Sequence, residues 1–138
     1  MKILKFTLII ISISIILSEN IKSIFIPYGV SNIDITVKEN TEFELKIKGN
    51  PTTGYEWYIL NYDELSNLDI ICLNKHNSGD FSYDPHEPGI VGIGGTYTFR
   101  FKVNSHNNNF KTIKLIYKRD WENNPNDFIV SINVLVIE

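Results

Sequence analysis

The hexapeptide Asn50-Pro51-Thr52-Thr53-Gly54-Tyr55 brings a proline, two hydroxyls, an amide side chain and a glycine into one short segment. Proline fixes φ, glycine admits positive φ, and Asn or Thr side chains can bond their own backbone. The chemistry this suits is recognition, by a stiff projection tipped with hydroxyls that enters a cleft at low entropic cost. An ordinary tight turn uses the same residue types, so the segment alone leaves both readings open. Gly92-Ile93-Gly94-Gly95 is a second unusual segment. A phosphate-cradling loop needs a helix after it, and a strand pattern follows here, so no nucleotide site is expected. Glycines at a strand entrance instead let foreign backbone approach and exchange main-chain hydrogen bonds, or serve as a hinge or bulge. Third comes Arg119-Asp120-Trp121, with one of the chain's two arginines and one of its two tryptophans. Arg and Trp are enriched at interface hot spots, and a guanidinium fork beside a large ring suits a partner lined with carboxylates or aromatics. The alternative is a Trp121 that folds back to cap the end of the domain.

Side chains that could catalyse do not assemble. His76, His86 and His106 all fall in expected loops, with no HExxH motif and no paired carboxylates, so neither a metal site nor a general base is expected. Ser78, Ser82 and Cys72 have no activating neighbours. Neither an enzyme nor a cofactor is expected. Cys72 is the sole cysteine, so no internal disulfide can form, and within Leu68 to Leu73 it reads as a small buried apolar side chain.

The elements that must position the three segments follow a period of two, which points to an all-β domain. Ile33, Ile35 and Val37 alternate with polar residues, as do Phe43, Leu45 and Ile47, across a turn at Glu39-Asn40. Tyr55, Trp57 and Ile59 line one face of a third strand, with Trp57 placed as a core aromatic, and Leu68 to Leu73 reads as a fourth. Tyr97, Phe99, Phe101 and Val103 make a fifth, Ile113, Leu115 and Tyr117 a sixth, and Phe128 to Ile137 a seventh. About seven strands with turn signals between them suggest an immunoglobulin-like antiparallel β-sandwich, without the Cys-Trp-Cys pattern of true immunoglobulin domains. Alternating strands place the connections 50–54, 75–95 and 119–126 at one end. The middle one, about 20 residues, exceeds the usual loop length.

With 138 residues, the chain can bury one core. A hydrophobic fraction of 43% supports a packed globule, and a formal charge of −3 gives no reason to expect nucleic acid. Lys2 and Lys5 precede an uncharged run from Phe6 to Leu17, and Ser18-Glu19-Asn20 follows. This reads as a signal peptide over 1–18, with the cut as late as 23, ahead of a domain at 24–138. The run is shorter than the about 20 residues of a spanning helix, so no stable membrane anchor is expected. The expected address is the secretory pathway, either secreted or in the lumen of lysosome-like vesicles.

Taken together, the three segments resemble those of the chagasin and amoebiasin type of inhibitor of papain-like cysteine peptidases. That family carries an NPTTGY or NPTTGF loop, a GxGG loop and an RPW or RPF loop, in that order, on a small immunoglobulin-like domain. Here they stand as Asn50 to Tyr55, Gly92 to Gly95 and Arg119-Asp120-Trp121, with Asp120 departing from the family's proline. The resemblance implies reversible occlusion of a peptidase cleft, and a monomer is the default expectation. Thr52 and Thr53 would approach the catalytic cysteine and histidine, the glycine segment would lie along the non-primed side, and Trp121 with Arg119 would hold the primed side. A secreted immunoglobulin-like adhesion or binding module with a non-peptidase partner is the rival reading from the residues alone.

Overall fold

The computed structural model describes residues 21–90, 92–104 and 110–138. The expected leader, 1–18, lies outside the described residues. Strand β1 (Lys22–Phe25) starts ahead of Ile24, where the domain was expected to begin. Two sheets pack face to face. The first runs β1–β3–β7–β5, with β3 at Thr41–Gly49, β7 at Gly95–Val103 and β5 at Ile70–Cys72, and the short β6 (Asp80–Tyr83) also lies on β7. The second runs β2–β9–β8–β4, with β2 at Asn32–Lys38, β9 at Phe128–Ile137, β8 at Lys111–Arg119 and β4 at Tyr55–Ile59.

Alternation of side chains explains the layers. Strand β3 turns Phe43, Leu45 and Ile47 inward, and β7 turns Tyr97, Phe99, Phe101 and Val103 inward; all seven are buried. Register places Phe43 opposite Phe101, and their rings stack at 5.4 Å. From the second sheet Val37, Trp57, Ile59, Ile113, Leu115, Val130, Ile132 and Val134 meet them. Trp57 sits in the core as expected, and its indole N–H donates to the Lys48 carbonyl at 2.9 Å.

Among the described residues the immunoglobulin-like sandwich carries two strands beyond the expected seven. Strands β1 and β6 are both four residues long, too short for a strong periodic signal. Both sheets are mixed, because β1 lies parallel to β3 and β2 parallel to β9. The expected fourth strand shrinks to Ile70–Cys72, since a 3-10 turn takes Tyr62–Leu68 and Asp69 adopts a left-handed φ of 56°. The connection 75–95 is likewise not one loop. Ile59 N–H donates to Asn77 O at 2.8 Å, and Ser78 bridges to Tyr58. The chain thus crosses to the edge of β4 and returns as β6, leaving 84–94 as the loop.

Two buried asparagines extend the ladders where backbone runs out. Asn61 accepts from Lys114 N–H at 2.9 Å and donates to Thr112 O at 2.8 Å, continuing β4 along β8. Asn74 accepts from Arg100 N–H at 2.7 Å and donates to Thr98 O at 3.0 Å, filling the gap on β7 between β5 and β6. Each side-chain amide supplies the donor and acceptor of a missing peptide group. Cys72 is half-buried, less than expected, and burial pushes its thiol pKa up.

Candidate functional site

The first loop is a closed 3-10 turn, Pro51–Thr53, between Asn50 as N-cap and Gly54 as C-cap. Pro51 needs no N–H donor at the first helical position. Asn50 Oδ1 accepts from Thr52 N–H at 3.1 Å and from Thr52 Oγ1 at 2.7 Å. Thr53 Oγ1 donates to Asn50 O at 2.9 Å, and Gly54 N–H donates to Pro51 O at 2.9 Å. Gly54 holds φ at +84°, which favours glycine, and a Cβ there would overlap the Trp121 ring. Both threonine hydroxyl protons are therefore committed inward. The exposed tip offers methyl groups and oxygen lone pairs.

This turn is clamped from three sides. Tyr117 Oη accepts from Asn50 N–H at 2.9 Å and donates to Asn50 O at 3.3 Å. Its ring stacks on Trp57 at 4.9 Å and leans on Tyr55 at 5.2 Å. Arg119 donates from Nε to Thr53 O at 2.9 Å and from Nη1 to Glu122 Oε1 at 3.1 Å. Its guanidinium lies 4.6 Å above the Tyr55 ring and 6.0 Å from the Trp121 ring. On the third side Asn50 Nδ2 donates to Gly92 O at 2.8 Å. Gly94 is pressed against Gly49 O, which would stand 2.9 Å from any Cβ at that position. Gly94 O also accepts from Asp84 N–H at 3.2 Å, which closes the glycine segment onto β6.

All three expected segments thus meet at one end of the sandwich, and hydrogen bonds join the first to both others. Thr52, Thr53, Gly92, Asp120 and Trp121 are exposed there, Ile93 and Tyr55 are half-buried, and Gly95 is buried at the start of β7. Trp121 keeps 72% of its surface open although it rests on Gly54, so capping and presentation coexist in one ring. Arg119, expected to face a partner, spends its guanidinium on holding the first loop and Glu122.

Sequence reasoning missed Tyr117, Trp57 and Glu122 as parts of the clamp. The available signal was aromatic pairing across β4 and β8, where Trp57 stands opposite Tyr117 and Tyr55 opposite Arg119. Nearby, burial pushes the Tyr58 hydroxyl pKa up, aided by its hydrogen bond to Glu56. Burial does the same at Tyr97, whose hydroxyl has no partner among the described residues. No group of three His, Cys, Asp or Glu side chains among the described residues could hold a metal. His86 Nδ1 lies 2.9 Å from Asp84 O, and His106 lies outside the described residues.

The chain is thus an immunoglobulin-like sandwich that presents three interlocked loops from one end. The chain belongs to the chagasin family of peptidase inhibitors (I42), whose model matches residues 36–134. It is 34% identical over 106 residues to amoebiasin-1 of Entamoeba histolytica, covering 75% of this chain and 92% of that protein. Amebosin, solved in solution, superposes with a TM-score of 0.62 at 27% identity, covering 86% of this chain and 100% of that one. The crystal structure of the cysteine protease inhibitor EhICP2 from Entamoeba histolytica superposes with a TM-score of 0.64 at 20% identity, covering 87% and 100%. PbICP-C, solved in complex with falcipain-2, superposes with a TM-score of 0.58 at 14% identity, covering 84% and 99%. The family is one of peptidase inhibitors, and this chain is no enzyme.

Proposed function

We propose that this chain is a reversible, tight-binding inhibitor of papain-like cysteine peptidases that occludes the active-site cleft with its three-loop end. Family membership supports the reading, as do a fold relative described as a cysteine protease inhibitor and another held in complex with falcipain-2. The observation that carries it is the clamped 3-10 turn at Pro51–Thr53. A peptidase attacks a carbonyl carbon of an extended chain and stabilises the resulting oxyanion with aimed donors. In this loop the backbone is curled, and the carbonyl oxygens of Asn50, Pro51 and Thr53 already accept internal hydrogen bonds. None of the three is free to enter an oxyanion hole. With three of its carbonyls withheld and its backbone curled, the loop fills the cleft beside the catalytic cysteine and histidine as a poor target for attack, and inhibition is reversible.

Gly92 to Gly95 lies along the non-primed side. With Gly92 O and Gly94 O taken internally, Ile93 supplies the backbone contact there. Trp121 meets the primed side, and Arg119 positions both Trp121 and the first loop. Three clustered loops can supply the about 800 Å² per partner of a standard interface. The protein acts as a monomer, routed by its leader into the secretory pathway.

The test is titration of the purified domain against papain-like cysteine peptidases with a fluorogenic peptide substrate, with a serine peptidase as control. Class-selective inhibition at near-stoichiometric ratio, reversed on dilution with the inhibitor recovered intact, is the expected result. Cleavage within 50–55, or no inhibition of any papain-like enzyme by folded protein, would overturn it.

A further inference from the structure

A fourth turn stands at the same end of the sandwich. Strand β1 runs parallel to β3 and β2 parallel to β9, so their connection falls where β3 leads into the first loop and β9 leaves the third. That connection is Pro27-Tyr28-Gly29-Val30, closed by Val30 N–H donating to Pro27 O at 3.3 Å, with Gly29 at a φ of +78°. Proline at the start and a left-handed glycine near the end repeat the device of Pro51 to Gly54. At the apex Tyr28 is wholly exposed, at 101% of its reference surface, and takes part in no hydrogen bond or ring contact among the described residues. Folding draws no packing from this ring, yet a stiff turn presents it.

Beside Tyr28 opens a groove of about 340 Å³. Trp57 and Tyr117 line it on one side and Phe128 on another, with Ile26 and Ile47 also in its walls. Phe128 is 42% exposed and meets the Trp57 ring edge-on at 6.3 Å. The lining is mostly hydrocarbon, and the one ionic group, Lys48, is neutralised by Asp84 at 2.7 Å.

We propose that Tyr28 and this groove form a fourth contact, which takes an apolar side chain from the rim of the bound peptidase on the flank beyond Trp121. The proposal rests on the inhibitor reading above. Continuity identifies the occupant, because Trp57 and Tyr117 belong both to the groove and to the clamp of the first loop. In the second sheet the order β2–β9–β8–β4 sets the turn about two strand spacings, roughly 10 Å, from β8, which leads into Trp121. A partner that covers Trp121 reaches that far within a standard interface. Hydrocarbon walls with a neutralised cation favour an aliphatic or aromatic side chain over a charged one. Among papain-like enzymes the contact discriminates by the residue at that rim position.

The experiment compares the wild-type protein with Tyr28→Ala, Tyr28→Phe and Trp121→Ala in inhibition of a panel of papain-like peptidases. Thermal midpoints serve as the folding control, and amide exchange over 26–31 is followed in the free and peptidase-bound protein. Tyr28→Ala should weaken inhibition of the responsive enzymes about tenfold, mainly through faster dissociation, with an unchanged midpoint. Tyr28→Phe should retain wild-type inhibition, and the 26–31 amides should gain protection in the complex. Unchanged inhibition by Tyr28→Ala across the panel, with no protection at 26–31, overturns the fourth contact. If Trp121→Ala is still impaired in that case, the inhibitor reading stands. Absence of inhibition by the wild type overturns both. A dimer of the free protein that Tyr28→Ala dissolves would assign the groove to a second copy and also overturn the proposal.

Discussion

Tyr117→Phe removes one oxygen and isolates the clamp from the core. The ring stack on Trp57 stays, while Asn50 N–H loses its acceptor and Asn50 O loses the longer of its two donors. A net hydrogen bond contributes about 0.5–1.5 kcal/mol, and a partly buried N–H left unpaired sits at the upper end of that range. The sum is about 1–2 kcal/mol, which for a domain of this size lowers the thermal midpoint by roughly 4–8 °C. The same free energy bears on inhibition. A loop no longer held in its clamped pose must be ordered on binding, and about 1.4 kcal/mol is a factor of ten in the inhibition constant. Calorimetry gives the first number and a tight-binding titration the second. A midpoint and an inhibition constant both equal to wild type would refute the clamp. A lower midpoint with unchanged inhibition would show that Tyr117 supports the sandwich without setting the loop.

Gly54→Ala should weaken inhibition by more than about tenfold, since a left-handed φ costs an L-residue about 1–2 kcal/mol and the new Cβ drives Trp121 off the loop; the same titration reads it. Asn61→Ala and Asn74→Ala each strip two backbone bonds from buried ladder ends, so each should cost about 1–3 kcal/mol in urea unfolding and leave inhibition unchanged. Asp120→Pro should raise stability by about 0.4–1 kcal/mol. Glu122 N–H donates to Arg119 O across a turn in which residue 120 holds the position that favours proline. Cys72, its thiol pKa raised by burial, should react with a thiolate-selective disulfide reagent more slowly at pH 8 than a free cysteine does, and reach the free rate in urea.

Long alternating runs such as 97–103 and 113–117 were legible because one face is buried along the whole of the first and at Ile113 and Leu115 of the second. Proline and glycine in 50–54 likewise announced a turn, and the up-and-down order of the strands was enough to bring the three loops together. What escaped had physical reasons. Strand β6 has only Phe81 and Tyr83 to mark it, and residues 77–79 join the β4 edge through backbone alone. Asn61 and Asn74 mimic backbone, and polar residues in such positions read as loop. The direction of Arg119 was illegible too, because its acceptor is a carbonyl 66 residues away.

Residues that hold the loops and residues that face outward form nearly separate sets. Asn50, Tyr117, Arg119 and Gly94 satisfy polar groups or fit backbone against backbone, whereas Ile93 and the methyl groups of Thr52 and Thr53, whose hydroxyls bond inward, make the outward surface. Trp121 belongs to both, resting on Gly54 with most of its ring open. An inhibitor that must sit in a catalytic cleft without being cut needs this division, because every carbonyl tied down internally is one less target for attack. The division also makes the mechanism readable from a mutant series. Changes in the holding set should move thermal midpoint and inhibition together, a change at Ile93 should move inhibition alone, and Trp121, Thr52 and Thr53 should fall between, since both threonine hydroxyls bond Asn50. A series without that separation would mean that rigidity and contact are not distinct contributions in this loop end.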